Sequence, residues 1–162
     1  MAAPSLNESE LRFLRALLRR KVRFMVVGLS AAALQGAPVV TQDVDLWFED
    51  LNDPRIREAL RVVDAAYVPP SSSNPPMFSG GGVELFDIVL TMHGLGTFSE
   101  EWWNCVDVPL GRHKLKVLRV GRILARKRSA NRAKDRLVIP VLEDALAAGA
   151  GRRKARRRSK RA

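Results

Sequence analysis

Two aspartates stand two residues apart in the apolar segment 41–48, TQDVDLWF. Because side chains alternate between the faces of a strand, Asp43 and Asp45 point to one face and the apolar residues beside them to the other. Two carboxylates this close repel each other, and partial burial adds a desolvation cost, so such a pair usually needs a cation. The spacing indicates a divalent-metal site. The alternative is a strand end at which two acids face water.

A third acid and a glycine turn could complete such a site. Asp87 is flanked by apolar residues in the segment 83–90, where a lone carboxylate is costly unless something pairs with it. If the strands of Asp45 and Asp87 lie side by side, three carboxylates converge, and hard oxygen ligands suit Mg²⁺. The turn at 28–30 would offer backbone N–H groups and a helix N-terminus to the phosphates of a substrate.

The other residue types that can do chemistry lack suitable partners. His93 and His113 have no spaced partners for zinc, and Cys105, the only cysteine, has no histidine nearby in sequence to activate it. A single cysteine excludes an intrachain disulfide and fits a reducing cytoplasm. Residues 102–103 are two tryptophans that could stack a base, although at least one is expected in the core. Asp135 is expected to pair with a neighbouring arginine or to begin a helix.

The elements that must position these residues follow from hydrophobic periodicity and capping signals. The chain is predicted to open with a helix that has a capping box at Ser5–Glu8, followed by a strand at 22–27, a helix at 31–35 and the acidic strand at 43–49. A helix capped by Asp53-Pro54 follows, and its buried stripe is Ile56, Leu60, Val63 and Ala66. The remaining predicted elements are a strand at 83–90, a helix at 100–103 capped by Ser99, a hairpin at 106–118, and helices over 120–148 that are broken near 130–132. Residues 69–82, with four prolines and three glycines, are predicted to form a loop.

The positive charge is concentrated at one end of the chain. The net charge is +11, and residues 151–162 hold eight basic residues and no acid. A block of this composition is expected to be disordered when free and to bind RNA or DNA through phosphates. The alternative is a solubilising or targeting appendage. The uncharged run 24–42 contains glycine, glutamine and proline, so we expect a buried strand and short helix there and no membrane segment.

Four segments together carry a family resemblance: VVGLSAAALQG at 26–36, TQDVDLWF at 41–48, FDIVL at 86–90 and ARKRSANRAKDRL at 125–137. The chain resembles the nucleotidyltransferase superfamily of the polymerase-beta type, most nearly the minimal bacterial branch that includes abortive-infection toxin nucleotidyltransferases. The resemblance implies an α+β fold in which helices flank a small mixed β-sheet, followed by C-terminal helices. It implies one nucleotidyltransferase-like domain over residues 1–150, ahead of the disordered basic tail.

The resemblance also implies a reaction. A nucleoside monophosphate passes from an NTP to an acceptor hydroxyl, on an RNA or tRNA end or on a protein, and pyrophosphate is released. In this scheme Asp43, Asp45 and Asp87 are the catalytic acids that hold two Mg²⁺ ions, and Asp87 also serves as a candidate base.

The implied nucleotide-binding residues are Gly28, Ser30, Lys127 and Lys134. The glycine and the serine match the phosphate-binding turn, and the two lysines, seven residues apart, share a helical face if the helix is unbroken. Leu29 departs from the family pattern, in which glycine or serine follows the glycine. Its side chain could hinder phosphate, or it could point into the core while Ser30 substitutes.

Two classes of function therefore remain. The first is a cytoplasmic, Mg²⁺-dependent nucleotidyltransferase. The second is an inactive member of the fold that acts as a nucleic-acid-binding or regulatory protein, for example a toxin–antitoxin partner. Leu29 and the basic tail favour the second class, and the acids with the glycine turn favour the first.

Overall fold

A small mixed sheet with helices on both faces forms the centre of the molecule. The computed structural model describes residues 5–161. In chain order the elements are α1 (Glu8–Arg19), β1 (Phe24–Val27), α2 (Gly28–Leu34), β2 (Val44–Phe48), α3 (Pro54–Arg61), β3 (Ala66–Val68), β4 (Met77–Ser79), β5 (Phe86–Val89), α4 (Phe98–Trp102), β6 (Cys105–Leu110), β7 (His113–Leu118), α5 (Val120–Ala130) and α6 (Ala133–Ser159). The predicted α+β class is confirmed.

Within the described residues, five strands form one sheet in the order β5–β2–β1–β7–β6. Strand β2 runs antiparallel to β1 and parallel to β5, while β7 runs parallel to β1 and antiparallel to β6. The predicted hairpin is confirmed as β6 and β7. None of the helices described between residues 5 and 161 combines the length and apolarity needed to cross a membrane.

Aromatic side chains fix the helices on the sheet. Phe48 of β2 packs edge-on against Phe78, which in turn contacts Phe13 of α1 with ring centroids 5.3 Å apart. Side chains alternate along a strand, so Asp45 and Phe48 lie on opposite faces of β2. The face of Asp45 is covered by α2, which packs against β1, β2, β7 and α5. Asp45 is therefore placed on the face of the sheet that carries the second helical layer.

Two helix caps differ from the sequence prediction. Helix α1 is capped by Asn7, whose side chain accepts a hydrogen bond from the Glu10 backbone N–H while the Glu10 carboxylate accepts from Asn7 N. The predicted capping box at Ser5–Glu8 is wrong. Both Ser5–Glu8 and Asn7–Glu10 have the three-residue spacing of the motif, so the spacing alone did not distinguish them. Helix α4 is likewise capped by Thr97 with Glu100, and the predicted cap Ser99 lies inside that helix.

The segment after α3 also differs. Asp53 caps α3 and Pro54 begins it, as predicted, and Ile56 and Leu60 are buried. The helix ends at Arg61, however, and Asp64 takes a left-handed conformation, with φ 56°, that no helix continues. Ala66, predicted to belong to the helical stripe, begins β3. This strand pairs with β4 inside the predicted loop 69–82.

The basic tail is the largest correction. Helix α6 continues through Ser159, so most of the predicted disordered segment 151–162 is helical in this structure. Arginine, lysine and alanine have high intrinsic helix propensities, and they outweigh here the repulsion between like charges. All residues from 151 to 161 are exposed. Composition correctly indicated that this segment buries nothing, but it did not indicate the backbone conformation.

Candidate active site

The strand register brings two of the acids together. Asp45 on β2, which lies between β1 and β5, is the direct partner of Val27 at the end of β1 and of Asp87 on β5. The condition set from the sequence, that the strands of Asp45 and Asp87 lie side by side, is met. Asp43 immediately precedes β2 and is exposed, as is Asp87, while Asp45 is partly buried. All three acids line one cleft of about 260 Å³.

Gly28 allows the turn after β1 to approach the central acid. Its φ of 65° lies in the left-handed region, and a Cβ at this position would overlap Oδ2 of Asp45. Any other residue would be strained here and would push the carboxylate away. Gly28 also lines the neighbouring part of the cleft, so its backbone is available to a ligand.

Ser30 holds the turn to the sheet. Its side chain is fully buried, and its hydroxyl donates to the Val27 carbonyl at 2.9 Å and accepts from the Asp45 N–H at 3.2 Å. The structure therefore does not bring the hydroxyl of Ser30 to the cleft. It places that hydroxyl beneath the turn, where it positions the backbone of Asp45.

The sequence left open whether Leu29 or Ser30 faces the cleft, and in the structure it is Leu29. It is partly buried and lines the cleft with the three acids. The possibility that Leu29 points into the core while Ser30 substitutes is wrong, because the larger side chain faces the cleft and the hydroxyl is buried. At the cleft this turn therefore presents the Leu29 side chain and backbone groups, and the Ser30 hydroxyl is not available to a ligand.

The acids perturb one another as expected. Burial, followed by the nearby charge of Asp87, raises the pKa of Asp45 to about 6. Asp43 adds to this rise, while Lys127 and Arg126 oppose it. Burial and then the charge of Asp43 also raise the pKa of Asp87. These carboxylates lack sufficient counter-charge from the protein itself.

The donor set fits Mg²⁺ only in combination with a substrate. Across residues 5–161, no three His, Cys, Asp or Glu side chains are gathered closely enough to hold a metal by themselves. Mg²⁺ is usually held by one or two carboxylates together with waters and substrate phosphates, so it does not require three protein ligands. Asp43 and Asp45 would supply the carboxylates, and burial, followed by the charge of Asp87, raises the pKa of Asp45, so a cation there would stabilise its ionised form. The chemistry of the residues present therefore fits.

The basic wall of the cleft comes from two helices. Lys127 near the end of α5 and Lys134 at the start of α6 line the cleft with the acids. The helix is broken between them, as predicted, because Asn131 adopts a left-handed conformation with φ 47°. The condition of an unbroken helix, on which the shared face of the two lysines depended, is not met. The α5–α6 turn brings them to the same cleft instead.

A buried ion pair fixes Lys127. Its Nζ lies 3.2 Å from Oδ1 of Asp135, whose side chain is fully buried. Arg132 donates to the same carboxylate from Nε at 2.7 Å and from its backbone N–H at 3.1 Å. Hydrogen bonds from Arg132, reinforced by Lys127, hold the pKa of Asp135 well below its usual range. The predicted roles of Asp135, an arginine pair and a helix start, are both confirmed.

Sequence reasoning missed two arginines of this cleft, Arg126 and Arg132. The Nε atom of Arg126 is buried and has no hydrogen-bond partner among the described residues. Such an unmet donor is costly without a ligand. Its sequence signal was only its place beside Lys127, in a segment so rich in basic residues that no spacing distinguished it.

The remaining candidates lie elsewhere. Burial raises the pKa of Cys105 to about 11, so this thiol is not an activated nucleophile. Trp102 packs on Phe98 and beneath the guanidinium of Arg23, whereas Trp103 is 83% exposed. The expectation that at least one of the two tryptophans belongs to the core is met in part by Trp102.

The fold is similar to that of a solved nucleotidyltransferase structure. The chain matches ANT(2'')-Ia, an aminoglycoside nucleotidyltransferase solved in complex with adenylyl-2''-tobramycin, with a TM-score of 0.57. The match covers 93% of this chain and 95% of that one, at 15% identity. The chain has the nucleotidyltransferase fold. No family model matches the sequence, and no curated protein is similar to it.

Proposed function

We propose that this nucleotidyltransferase-fold chain is an Mg²⁺-dependent enzyme that transfers a nucleoside monophosphate from an NTP to an acceptor hydroxyl. One observation carries the proposal: Asp43, Asp45 and Asp87 line the same cleft as Lys127 and Lys134. Acids that can share a cation, beside bases that can bind an anion, suit a triphosphate that arrives with its metal.

In this proposal the basic wall holds the triphosphate. Lys134 is exposed at the start of α6, and Arg126, which has an unmet Nε donor, lines the neighbouring part of the cleft with Asp45. Both can donate to phosphate oxygens in charge-assisted hydrogen bonds. Lys127 contributes positive charge from a fixed place, because Asp135 holds its ammonium group. The Gly28 turn adds backbone N–H groups, because Gly28 has no side chain of its own and lines the neighbouring part of the cleft.

The acids serve the reacting oxygens. Asp87 has a raised pKa and accepts the proton of the acceptor hydroxyl more readily than an ordinary carboxylate does. The acceptor oxygen forms a bond to the α-phosphorus while the bond from that phosphorus to the bridging oxygen breaks, and pyrophosphate leaves. Asp43 and Asp45 would hold Mg²⁺, as one ion or as the pair that the resemblance implies, and the metal would supply positive charge for the phosphoryl oxygens.

Calorimetry tests the proposal. Each NTP is titrated into the wild type and into the variant Asp43→Asn/Asp45→Asn, with and without Mg²⁺. We expect binding that requires the metal and is lost in the variant. A matched variant, Asp50→Asn/Asp144→Asn, removes two exposed carboxylates outside the cleft and should bind like the wild type. NTP binding that is indifferent to both Mg²⁺ and the cleft acids would contradict the assignment.

The acceptor is tested by following label from an α-labelled NTP. We propose three acceptor classes for the assay: an RNA or tRNA 3′ end, a protein side chain, and an aminoglycoside. The third is included because the matched ANT(2'')-Ia structure contains adenylylated tobramycin. Label that appears on one acceptor and requires Asp87 identifies the class. Label that still appears with Asp87→Asn would contradict its role as the base.

A second function is favoured by one observation, the position of Leu29 at the cleft. In this alternative the chain keeps the fold without transfer activity and acts as a nucleic-acid-binding or regulatory partner. Mg²⁺-independent behaviour in the calorimetry, together with strongly salt-dependent RNA or DNA binding, is the result expected for it.

A further inference from the structure

A second concave site lies away from the proposed active site. It is an open groove of about 670 Å³ bounded by β6, the start of α5 and the second half of α6. Its floor is apolar and includes Leu34, Val106 and Val108, with Leu146 above them. The groove shares no lining residue with the cleft of the three acids. We call it the arginine groove.

The name refers to its five arginines, Arg119, Arg122, Arg152, Arg153 and Arg156, and no acid lines the groove with them. Arg122 is neutralised by a hydrogen-bonded pair with the buried Glu101. The other four make no salt bridge within residues 5–161. Four uncompensated guanidinium groups around an apolar floor have a polyanion as their complement.

Helical geometry aims part of the basic segment into the groove. Arg152, Arg153 and Arg156 share one face of α6 with Ala145 and Gly149, because residues three and four apart are neighbours on a helix. The two small residues leave room between α6 and β6 for a ligand. Gly149 has nothing within 4 Å of where a Cβ would stand. These arginines thus form a wall of a built groove, unlike the charges on the opposite face.

The surroundings favour a nucleic acid over an acidic protein segment. Trp103 is 83% exposed and directly precedes Asn104, a lining residue. An exposed indole one residue away in the chain from the lining of a basic groove can stack on unpaired bases. A protein segment would not require it.

Two amides favour RNA over DNA. The side-chain nitrogen of Gln35 is committed to the carbonyls of Ala31 and Leu118, and that of Asn104 to Glu101. The oxygens of Gln35 and Asn104 have no donor among the described residues. An acceptor oxygen in the groove suits the 2′-hydroxyl, which only RNA carries.

We propose that the arginine groove binds single-stranded RNA. Arg119, Arg152, Arg153 and Arg156 contact the phosphates, and Trp103 stacks on a base. Binding at this groove is independent of the proposed transfer reaction, so either can fail without the other. The basic segment then acts as one wall of a site with a defined face.

Two charge-matched variants of the full chain test the proposal. The first is Arg152→Gln/Arg153→Gln/Arg156→Gln, on the groove face. The second is Lys154→Gln/Arg157→Gln/Arg158→Gln, which removes three charges from the same turns outside the groove lining. Glutamine has a helix propensity close to those of lysine and arginine, so α6 should persist in both, as circular dichroism can verify.

The readout is the fluorescence anisotropy of a short labelled RNA over a range of salt concentrations. We expect the groove variant to bind about tenfold more weakly or worse, and its log–log salt slope to fall by about 2, from three lost phosphate contacts on a single strand. The control variant should keep most of both affinity and slope. Equal losses in the two variants would mean undirected attraction to the tail and would overturn the proposal.

Three further arms separate the alternatives. RNA should quench the fluorescence of Trp103, and the quenching should be reduced in Trp103→Phe; quenching unaffected by this change contradicts the stacking role. DNA of the same sequence should bind more weakly than RNA, and equal affinity would overturn the assignment to RNA. An acidic peptide that binds the groove more tightly than RNA would overturn the assignment to a nucleic acid.

Discussion

Asp45 is central to the proposed chemistry, and its ionised form also destabilises the fold. It is held in place by its strand partners, by the Ser30 hydroxyl at its backbone N–H and by Gly28 against its carboxylate. Burial and Asp87 raise its pKa from 3.8 to about 6. The folded state therefore binds the proton of Asp45 more tightly than the unfolded state, and ionisation of this carboxylate above that pKa destabilises the fold.

Asp45→Asn should therefore stabilise the free protein. The gain is expected to be about 2 kcal/mol in the free energy of unfolding well above pH 6, because the variant removes a buried negative charge and its repulsion with Asp87. This stabilisation should shrink as the pH falls from about 6 towards 3.8 and vanish below pH 3.8, where the wild-type carboxyl is neutral in both the folded and the unfolded state. Urea denaturation across this range measures it.

The matched control is Asp107→Asn. Asp107 lies on the surface in a pair with Lys116 at 2.8 Å, so its removal should give no stabilisation at any pH. A stabilisation of Asp45→Asn that does not depend on pH would show that its cause is not the ionised carboxylate.

Leu29 supports a second prediction at this scale. Replacing Leu29 by serine restores a small polar residue after Gly28 and removes apolar bulk from the cleft. If the leucine obstructs the phosphates, Leu29→Ser should bind Mg–NTP several-fold more tightly than the wild type in the calorimetric assay. Val138→Ser changes a second apolar residue of the same cleft and serves as the control. Weaker binding by Leu29→Ser would show that the leucine contacts the nucleotide productively.

At the scale of elements, the turn between α5 and α6 depends on one buried carboxylate. Asp135 joins Arg132 at the start of α6 to Lys127 near the end of α5. Arg132 is partly exposed, so its contribution is screened by solvent, but Lys127 has a side chain only 11% exposed. Removing the Asp135 carboxylate would leave the buried ammonium group of Lys127 without an ion-pair partner.

Asp135→Asn should therefore destabilise the fold by about 3 kcal/mol at neutral pH, measured by urea denaturation. Since the pKa of Asp135 is lowered on folding, its contribution is complete above the ordinary value of 3.8 and is lost as the pH falls towards the lower folded value. The difference between variant and wild type should narrow over that acid range. Asp144→Asn, an exposed acid in the same helix, should change stability little.

Periodicity and turn signals predicted the elements that build the site, and they failed where two signals competed. Two apolar runs that each carry one costly acid predicted the strands of Asp45 and Asp87, but their pairing was only a condition for the site, and its parallel direction is a finding of the structure. The cap at Asn7 was missed because Ser5 offers the same motif spacing. Arg126 was missed because its importance depends on a donor buried by tertiary packing. Side-chain burial of this kind leaves no mark in the spacing of residues.

At the scale of the whole molecule, the charge separates into a body and a basic helical extension. Residues 151–161 are all exposed, so the body should fold without them. Deletion of residues 151–162 is expected to change the free energy of unfolding by less than about 0.5 kcal/mol. It should also weaken RNA binding, because the arginines of α6 are lost. A large loss of stability on deletion would show that the proposed domain 1–150 is incomplete.

The order of strands in the sheet has a consequence for synthesis of the chain. Strand β7 enters the sheet beside β1, and the basic wall at Lys127 and Lys134 comes later still. A nascent chain that has emerged only through β5 has all three acids and none of these lysines. Such an intermediate carries the repulsion of the site without its counter-charges. Nucleotide binding should therefore appear only after the start of α6 has emerged, and it would report that both walls of the cleft are in place.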